Sequence, residues 1–429
     1  MKVAVYTLGC KVNTYESEYA LNEFKKRGYE ITDFSCDTAD VYLINTCTVT
    51  NTSDGKSRKM IRQARKKNNH AIVAAMGCFT QIRDNDNAIM DYVDVVIGNN
   101  DKSKIVDLIE EYRKNNKKIL NIKDISNASF DDMEIESFKT RTRALVKIED
   151  GCENFCSYCI IPYVRGKVRS KEPKKVIEEV KKLVSNGYKE IVLTGIHTGH
   201  YGADLKDYDF SDLLTDLERI EGLDRIRISS IEITELNDKF LKVLSRSKKI
   251  VNHIHIPLQA GSDHVLKLMN RKYDKKYFID KINKIRNIRP FIAITTDVIV
   301  GFPGETEEDF NDTLKFVYEV NFAGGHVFPF SSRLGTPAAK MACQLTKSEK
   351  HVRCKKLIGV FDELEENYYK KHVGNTVIVI PETYEDGYLT GHTDNYLKVK
   401  FEGCKKLIGS GVKVKLYEYQ DKILIGKIV

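Results

Sequence analysis

The chain has 429 residues, of which 41% are hydrophobic and 30% are charged, and its formal net charge is +8. This composition is typical of a globular protein with two or three domains. No apolar run approaches the ~18 residues of a membrane span, and the start, MKVAVYTLGC, lacks the apolar core and cleavage site of a signal peptide. We therefore expect a cytoplasmic protein without a membrane partner. The modest net charge does not by itself indicate nucleic-acid binding.

Residues 1–125 alternate short apolar runs with helical patterns. The runs KVAVYTL, VYLIN and AIVAAMG have the composition of buried strands, whereas TYESEYALNEFKKRG has helical periodicity and ends at Gly28. This alternation predicts a small α/β domain with a parallel sheet. The polar stretch that follows, NIKDISNASFDDMEIESFKT, is interpreted as a linker.

A basic segment inside this domain reads KSRKMIRQARKK and contains seven Lys or Arg and no acid. In a helix, Arg58, Arg62 and Arg65 would lie on one face. Two interpretations are open at this point. The segment is either a solvated helix face or a stripe that follows the phosphates of a nucleic acid.

Residues 138–367 alternate with a longer period. Six segments are strand candidates: ALVKIEDG, EIVLTG, RIRISSIE, NHIHIPLQ, IAITTDVIVG and GHVFPF. Helical patterns separate the first five. Six strands with intervening helices predict an open (β/α)6 partial TIM barrel, in which chemistry takes place at the carboxyl ends of the strands.

Residues 368–429 are rich in β patterns. TVIVIPE, YLKVKFEG, GVKVKLYEY and ILIGKIV mostly alternate apolar and charged residues, and Gly, Asn and Asp turns separate them. They predict a small five-stranded β-barrel of the kind that binds nucleic acids. A purely structural cap is the alternative.

Three cysteines, Cys152, Cys156 and Cys159, lie within eight positions of one another in the segment GCENFCSYCIIP. The spacing C-x3-C-x2-C differs from the C-x2-C pairs of zinc modules, and no fourth cysteine follows nearby to close a structural zinc site. Three thiolates can hold three irons of a four-iron cluster and leave the fourth open to a substrate. The ring of Tyr158 is suited to packing against an adenine.

Three further cysteines occupy equivalent places in the amino-terminal domain. Cys10 follows VAVYTLG, Cys47 follows VYLINT and Cys78 follows AIVAAMG, so each comes just after a predicted strand. Because the carboxyl ends of parallel strands converge on one crevice, we predict that the three thiols meet at a second iron–sulfur cluster. The alternative is three unrelated core cysteines. The cysteines without a pattern are Cys36, Cys343, Cys354 and Cys404.

The C-x3-C-x2-C motif at the start of a (β/α) barrel resembles the radical S-adenosylmethionine (SAM) superfamily. Together with TLGCKVNTYESE, INTCTVT, AMGCFTQ and GCENFCSYCIIPYVRGKVRS, it resembles the radical SAM methylthiotransferase family over the whole chain. This resemblance implies two [4Fe-4S] clusters, SAM as a cofactor and a carboxyl-terminal barrel of the TRAM type. It also implies the cluster ligands, namely Cys10, Cys47 and Cys78 for an auxiliary cluster and Cys152, Cys156 and Cys159 for the radical cluster.

The resemblance also implies a substrate. GCKVNTYESE, LTGIHTGHYG and DVIVGFPGETEEDF resemble the branch that methylthiolates C2 of N6-threonylcarbamoyladenosine at tRNA position 37, beside the anticodon. The alternatives are N6-isopentenyladenosine in tRNA and an aspartate of a ribosomal protein. The tRNA anticodon arm would then contact the TRAM-like barrel and Arg58, Arg62 and Arg65. An electron donor of the flavodoxin or ferredoxin type is a second expected partner, and the sulfur donor is not assigned.

Contacts to SAM are expected at the carboxyl ends of the barrel strands. Superfamily members often carry Gly-Gly-Glu after the second strand, but this chain has Thr194-Gly195-Ile196, so the acidic contact has to come from elsewhere. Each candidate is equally compatible with an ordinary barrel-mouth residue. The candidates are Tyr158, Gly195, Ser230, Glu232, Gln259, Asp297 and Gly301.

Overall fold

The computed structural model describes residues 1–35, 38–82, 87–138 and 142–429. The first part of the chain forms one sheet from β1 (Lys2–Thr7), β2 (Glu30–Thr32), β3 (Val41–Thr46), β4 (Ile72–Gly77), β5 (Val95–Ile97) and β6 (Ile119–Asn121). All neighbouring strands are parallel, in the order β2-β1-β3-β4-β5-β6.

Helices cover both faces of this sheet. They are α1 (Lys11–Lys26), α2 (Asn51–Lys67), α3 (Cys78–Gln81), α4 (Asn87–Met90) and α5 (Ile105–Asn115). Leu43 packs on the face covered by α1 and α5, whereas its neighbour Ile44 packs on the face covered by α2 and α3. Burial on both faces explains why the strands read as continuous apolar runs.

The middle of the chain contributes eight strands. They are β7 (Arg143–Lys147), β8 (Glu149–Asp150), β9 (Arg169–Ser170), β10 (Glu190–Thr194), β11 (Arg225–Ile228), β12 (His253–His255), β13 (Ala293–Val300) and β14 (Gly324–Pro329). Six of them form two parallel sheets, β11-β10-β7 and β12-β13-β14. A bridge between Ile226 and Ile250 and a 3.0 Å bond from the Ile231 amide to the His255 carbonyl connect the two sheets. The result is the open six-stranded barrel that the sequence predicts.

Eight helices accompany these strands. They are α6 (Ile161–Arg165), α7 (Pro173–Ser185), α8 (Phe210–Glu218), α9 (Asp238–Arg246), α10 (Asp263–Leu268), α11 (Lys275–Ile288), α12 (Glu307–Val320) and α13 (Lys347–Lys370). Short 3-10 turns lie at Lys102–Lys104, Thr198–His200, Ile233–Glu235, Pro337–Lys340 and Lys405–Leu407. Helix α13 continues past residue 367, so it crosses the boundary proposed from the sequence, and the three domain boundaries stay a prediction.

The carboxyl-terminal strands close a small barrel. They are β15 (Thr376–Glu385), β16 (Tyr388–His392), β17 (Lys398–Glu402), β18 (Val412–Gln420) and β19 (Ile423–Ile428), in the order β15-β16-β17-β19-β18. Arg225 attaches this barrel to the larger one, because its Nη2 donates to the Ile378 carbonyl at 2.8 Å. The predicted fold class, a multidomain α/β protein with a parallel sheet, a partial (β/α) barrel and a β-rich end, is confirmed.

The stretch interpreted as a linker packs against the large barrel. Met133, Ile135 and Phe138 are buried in the same core as the barrel strands. Three apolar side chains in an otherwise polar stretch suffice to fix the described part of it in place. In the portions of the chain that the structure describes, no helix combines the length and apolar character needed to cross a membrane.

Candidate functional site

The loop that carries Cys152, Cys156 and Cys159 lies between β8 and α6. Gly151 opens the loop with φ of +96°, and a Cβ at this position would lie 1.9 Å from the Lys167 carbonyl oxygen. Only glycine fits this conformation and this space. The Cys159 amide donates to the Cys156 carbonyl at 2.9 Å, so the last two cysteines share a tight turn.

Arg271 is the charged neighbour of this loop. Its Nη1 donates to the Cys156 sulfur at 3.2 Å, and its Nη2 donates to the Glu232 carboxylate. Burial raises the pKa of Cys159 to about 12 and also raises the pKa of Cys152. A thiol must lose its proton to become a metal ligand, so metal binding at this loop would release protons.

The other three patterned cysteines come together at one edge of the first sheet. Strands β1, β3 and β4 are neighbours, and Cys10, Cys47 and Cys78 follow their carboxyl ends. A Cβ on Gly9 would lie 3.2 Å from the Cys47 sulfur, which shows how closely the loop after β1 approaches the end of β3. Burial raises the pKa of Cys10 and of Cys47, and mutual repulsion among the three thiolates adds to it. The convergence that the strand-end pattern predicts is present.

A buried arginine reaches this second group of cysteines from the barrel. Arg165, at the end of α6, is fully buried, and its Nε donates to the Cys78 sulfur at 3.2 Å. Its Nη2 donates to the Asn13 Oδ1 at 2.7 Å, and its Nη1 bonds the carboxylates of Glu16 and Asp150 at 3.1 and 3.0 Å. One guanidinium therefore connects the sheet, the barrel and a candidate metal ligand.

The same short helix connects the two groups of cysteines. Helix α6 begins two residues after Cys159, and Ile160 and Val164 pack against Cys78 in one apolar cluster. The segment from Ile160 to Arg165 therefore connects the end of the loop triad to Cys78 of the other triad.

Neither triad is compact enough to hold a single ion through all three sulfurs. Sulfurs around one zinc ion lie within about 4.6 Å of each other, because each Zn–S bond is about 2.3 Å long. Across the described ranges, the group of three ligand atoms that lie within 4.8 Å of one another consists of His197, His200 and Glu235, not of cysteines.

A cavity of about 750 Å³ opens inside the barrel, and Cys10 lines it. Residues from the start of α1, the barrel strands, α13 and the small β-barrel all contribute to its wall. Five Lys or Arg and four His line the cavity against three Asp or Glu. The cavity therefore favours a negatively charged occupant.

Three of the seven predicted SAM contacts line this cavity. Gly195, Ser230 and Asp297 form part of its wall. The Asp297 carboxylate pairs with His255 Nε2 at 3.2 Å.

The other four predicted SAM contacts lie outside the cavity wall. Glu232 is held by Arg271, as described above. Tyr158 packs edge-on against Phe302 with ring centroids 6.4 Å apart. Gln259 has φ of +65° and donates its amide to the Asp297 carbonyl at 2.9 Å. The Gly301 amide donates to Glu305 Oε2 at 2.6 Å, and a Cβ at Gly301 would lie 2.4 Å from the Lys350 side chain.

The loop that lacks the Gly-Gly-Glu sequence has buried carboxylates next to it. Glu149 accepts the His197 amide at 2.7 Å and lies against Gly195, and burial raises its pKa well above the ordinary value. Glu235 pairs with His197, and burial raises its pKa to about 7. His197 Nδ1 in turn lies 3.7 Å from the Cys152 sulfur. Two buried carboxylates, on β8 and after β11, thus lie beside this loop, and the acidic contact to SAM stays a prediction.

The three arginines of the basic segment lie on α2 but differ in what they contact. Arg62 is exposed, with its guanidinium 5.6 Å from the centre of the Tyr92 ring. Arg58 lies 5.1 Å from the centre of the Phe79 ring. Arg65 is bound within the protein, because it pairs with Asp94 at 2.6 Å and donates to the Ala71 carbonyl at 2.8 Å. Of the three arginines, Arg62 is therefore exposed, Arg58 is half-buried, and Arg65 is held in contacts within the domain.

Sequence reasoning missed Lys11, Arg165, Glu149 and the His197 group. Lys11 directly follows a patterned cysteine, and Arg165 lies in PYVRG immediately after the C-x3-C-x2-C motif. Closeness in sequence to a patterned cysteine could have indicated both residues. Glu149 and His197 had no signal, since only the fold places them together.

Comparison with known proteins identifies the class. The profile of the radical SAM superfamily matches residues 146–317, and that of the uncharacterized protein family UPF0004 matches residues 2–98. These ranges fall on the barrel and on the first sheet.

Relatives cover nearly the whole chain. The threonylcarbamoyladenosine tRNA methylthiotransferase MtaB of Bacillus subtilis (strain 168) is 48% identical over 98% of this chain and 95% of its own length. The Aquifex aeolicus MtaB is 39% identical over 96% of this chain, and a Clostridium botulinum tRNA-2-methylthio-N(6)-dimethylallyladenosine synthase is 36% identical over 99% of it. The chain belongs to the radical SAM methylthiotransferase family.

Solved structures support the fold. The radical SAM methyltransferase TsrM of Kitasatospora setae has a TM-score of 0.55 at 12% identity and covers 76% of this chain and 72% of its own. The cobalamin-dependent radical SAM enzyme OxsB has a TM-score of 0.51 at 11% identity, covering 85% of this chain and 56% of its own. At such low identity, these similarities describe the architecture alone.

Proposed function

We propose that this protein adds a methylthio group to C2 of N6-threonylcarbamoyladenosine at tRNA position 37. Its near-full-length identity of 48% with the B. subtilis MtaB supports this reaction. The structural observation that carries the proposal is the pair of cysteine triads, each with three thiols, connected by the five-residue helix α6. An enzyme that both activates a carbon and delivers sulfur needs two such centres close together.

We further propose that each triad holds one [4Fe-4S] cluster, with Cys152, Cys156 and Cys159 at the radical cluster and Cys10, Cys47 and Cys78 at the auxiliary one. When bound, the clusters and SAM supply the radical chemistry that replaces an unreactive C–H bond with a C–S bond. The guanidiniums of Arg271 and Arg165 each donate to one cysteine sulfur and so fix its orientation. Tyr158, Gly195, Ser230, Glu232, Gln259, Asp297 and Gly301 remain the proposed SAM contacts.

The remaining partners follow from this reaction. The adenine must leave the anticodon-loop stack to enter the barrel cavity, and a single-stranded loop makes that step inexpensive. We propose that the anticodon arm binds to Arg62 and Arg58 of α2 and to the TRAM-like barrel. An electron donor of the flavodoxin or ferredoxin type would supply the reducing electrons. The enzyme would act in the cytoplasm, where both tRNA and such electron carriers occur.

The test is a nucleoside analysis. The reconstituted enzyme would receive SAM, a reductant and tRNA that carries either threonylcarbamoyladenosine or isopentenyladenosine, and the digested tRNA would be read by mass spectrometry. We expect the methylthio product from the threonylcarbamoyl substrate. A product formed only on the isopentenyl substrate, or no 5′-deoxyadenosine with either tRNA, would overturn the proposal.

A further inference from the structure

Three cations converge in the barrel cavity beside the amino-terminal triad. Lys11 follows Cys10 directly, and both residues line the cavity together with Arg143 of β7 and Arg227 of β11. Like charges gathered in a cavity repel each other unless acids or a bound anion offset them. The question is therefore which of these cations the protein itself neutralises.

The protein neutralises two of the three. Arg143 pairs with Glu382 at 3.1 Å, and Arg227 pairs with Glu190 at 2.7 Å. Both pairs are mostly buried, so their geometry is set by the fold and not by a ligand.

Lys11 is different. Within residues 1–35, 38–82, 87–138 and 142–429, its ammonium has neither a hydrogen-bond nor an ion-pair partner. Asp297, a carboxylate of the cavity wall that interacts electrostatically with Lys11, already pairs with His255 at 3.2 Å. A cation without a partner inside a cavity is a site that an anionic group can complete.

We propose that Lys11 binds the carboxylate of the threonylcarbamoyl group and so makes the enzyme prefer this nucleoside to its isopentenyl counterpart. This inference rests on the function proposed above. The two substituents occupy the same nitrogen of adenine and differ most in charge, since one ends in a carboxylate and the other in an apolar chain. The isopentenyl chain has no group that can pair with the ammonium, whereas the carboxylate can accept a charge-assisted hydrogen bond from it.

The position of Lys11 agrees with the chemistry. N6 is attached to C6, and C6 and C2 are both bonded to N1 of the same ring. Lys11, which follows Cys10, would therefore lie near the N6 substituent of an adenine whose C2 lies beside the amino-terminal triad.

A tRNA phosphate is the other anion that Lys11 could bind. The experiment separates the two sources by measuring affinity and not turnover. Fluorescence anisotropy would give the Kd of the reconstituted enzyme, without SAM, for anticodon stem-loops that carry threonylcarbamoyladenosine, its carboxyl methyl ester, or plain adenosine at position 37.

For the wild type, we expect the acid to bind about tenfold more tightly than the ester or plain adenosine, as a charged hydrogen bond contributes. Lys11→Gln should lose this preference and leave the affinity for plain adenosine unchanged, whereas Lys11→Arg should retain it. Lys315→Gln, an exposed lysine on α12, is the matched control. Iron content and visible absorption equal to the wild type show that the variants keep their clusters.

Two results would overturn the proposal. One is equal affinity of the wild type for the acid and the ester, a measurement that needs no variant and does not depend on how Lys11→Gln folds. The other is an equal loss of affinity by Lys11→Gln for all three stem-loops, which would assign Lys11 to a phosphate. If the wild type still forms the methylthio product from the threonylcarbamoyl substrate, only the role of Lys11 fails. If it modifies only the isopentenyl substrate, the proposed function fails.

Discussion

The two cysteine triads consist of the same residue type but are built in opposite ways. Cys152, Cys156 and Cys159 lie in a single loop, and glycine at position 151 and a turn between the last two cysteines shape it locally. Cys10, Cys47 and Cys78 come from the ends of three strands and meet only because β1, β3 and β4 are neighbours in one sheet. The position of the first three cysteines is therefore set by one local segment, whereas the position of the other three is set by the order of the strands in the sheet.

This difference determines how each triad can fail. The loop triad needs its turn and the contact of Arg271 with Cys156. The strand-end triad also needs the sheet to stay docked on the barrel, since Arg165 crosses that junction to reach Cys78. We therefore expect the strand-end triad to be the more sensitive to changes distant from its cysteines.

The largest effect should come from removing the thiols of either triad. Replacing Cys152, Cys156 and Cys159 with Ala should leave about four of about eight irons per chain and abolish formation of 5′-deoxyadenosine. Replacing Cys10, Cys47 and Cys78 should also leave about four irons but retain 5′-deoxyadenosine formation while product formation stops. After anaerobic reconstitution, iron analysis measures the number of irons per chain, and chromatography measures 5′-deoxyadenosine and the methylthio product. Complete loss of iron from either variant would show that the triads are not independent.

The next effect concerns the junction that supports the strand-end triad. Glu16 is fully buried, and although burial opposes its charge, Arg165, Lys102 and Lys147 hold its pKa below the ordinary value. Glu16→Gln takes the carboxylate away from Lys102 and leaves Arg165 and Lys147 to pair with Asp150, and it should cost about 3–5 kcal/mol of unfolding free energy at pH 7. A carboxyl with a lowered pKa stabilises the fold above its unfolded pKa and loses that contribution as the pH falls towards the folded value. The cost of the substitution should therefore shrink by roughly 2 kcal/mol between pH 7 and pH 3.

Urea denaturation of the cluster-free protein, followed by tyrosine fluorescence, measures this difference. Glu305→Gln is the matched control, because Glu305 is also buried and pairs with Arg353, but burial raises its pKa. The loss of unfolding free energy caused by Glu305→Gln should not become smaller between pH 7 and pH 3. A cost for Glu16→Gln that is the same at both pH values would contradict the assigned direction of the pKa shift.

The smallest effect separates two arginines on α2, the helix that follows Cys47. Arg62→Ala should weaken tRNA binding a few-fold and reduce the slope of log affinity against log salt by about 1, as expected for one lost phosphate contact. Arg65→Ala should leave that slope unchanged and instead lower stability, because Arg65 pairs with Asp94. Equal slopes for Arg62→Ala and the wild type would show that this face of α2 is solvated and does not contact the tRNA.

Much of the site could be predicted because its signals are local. The spacing of the loop cysteines, the strand-end positions of the other three and the basic segment on α2 are all visible in the sequence. The linker interpretation was incomplete, because Met133, Ile135 and Phe138 pack against the barrel in spite of their polar neighbours. That Lys11 has no partner in the described part of the chain was not visible, since whether a lysine is paired depends on which acids the fold brings within reach.

Periodicity and cysteine spacing were enough to predict the architecture and the two groups of cysteines, because these patterns act over a few residues. Which charges are neutralised depends on the folded chain, because the partners of Arg165 and Arg65 are distant in sequence and Lys11 has none among the described residues. Electrostatic roles depend on distance in space and on burial. Residue identity gives the charge, but packing decides whether that charge stabilises the fold or remains available to a substrate.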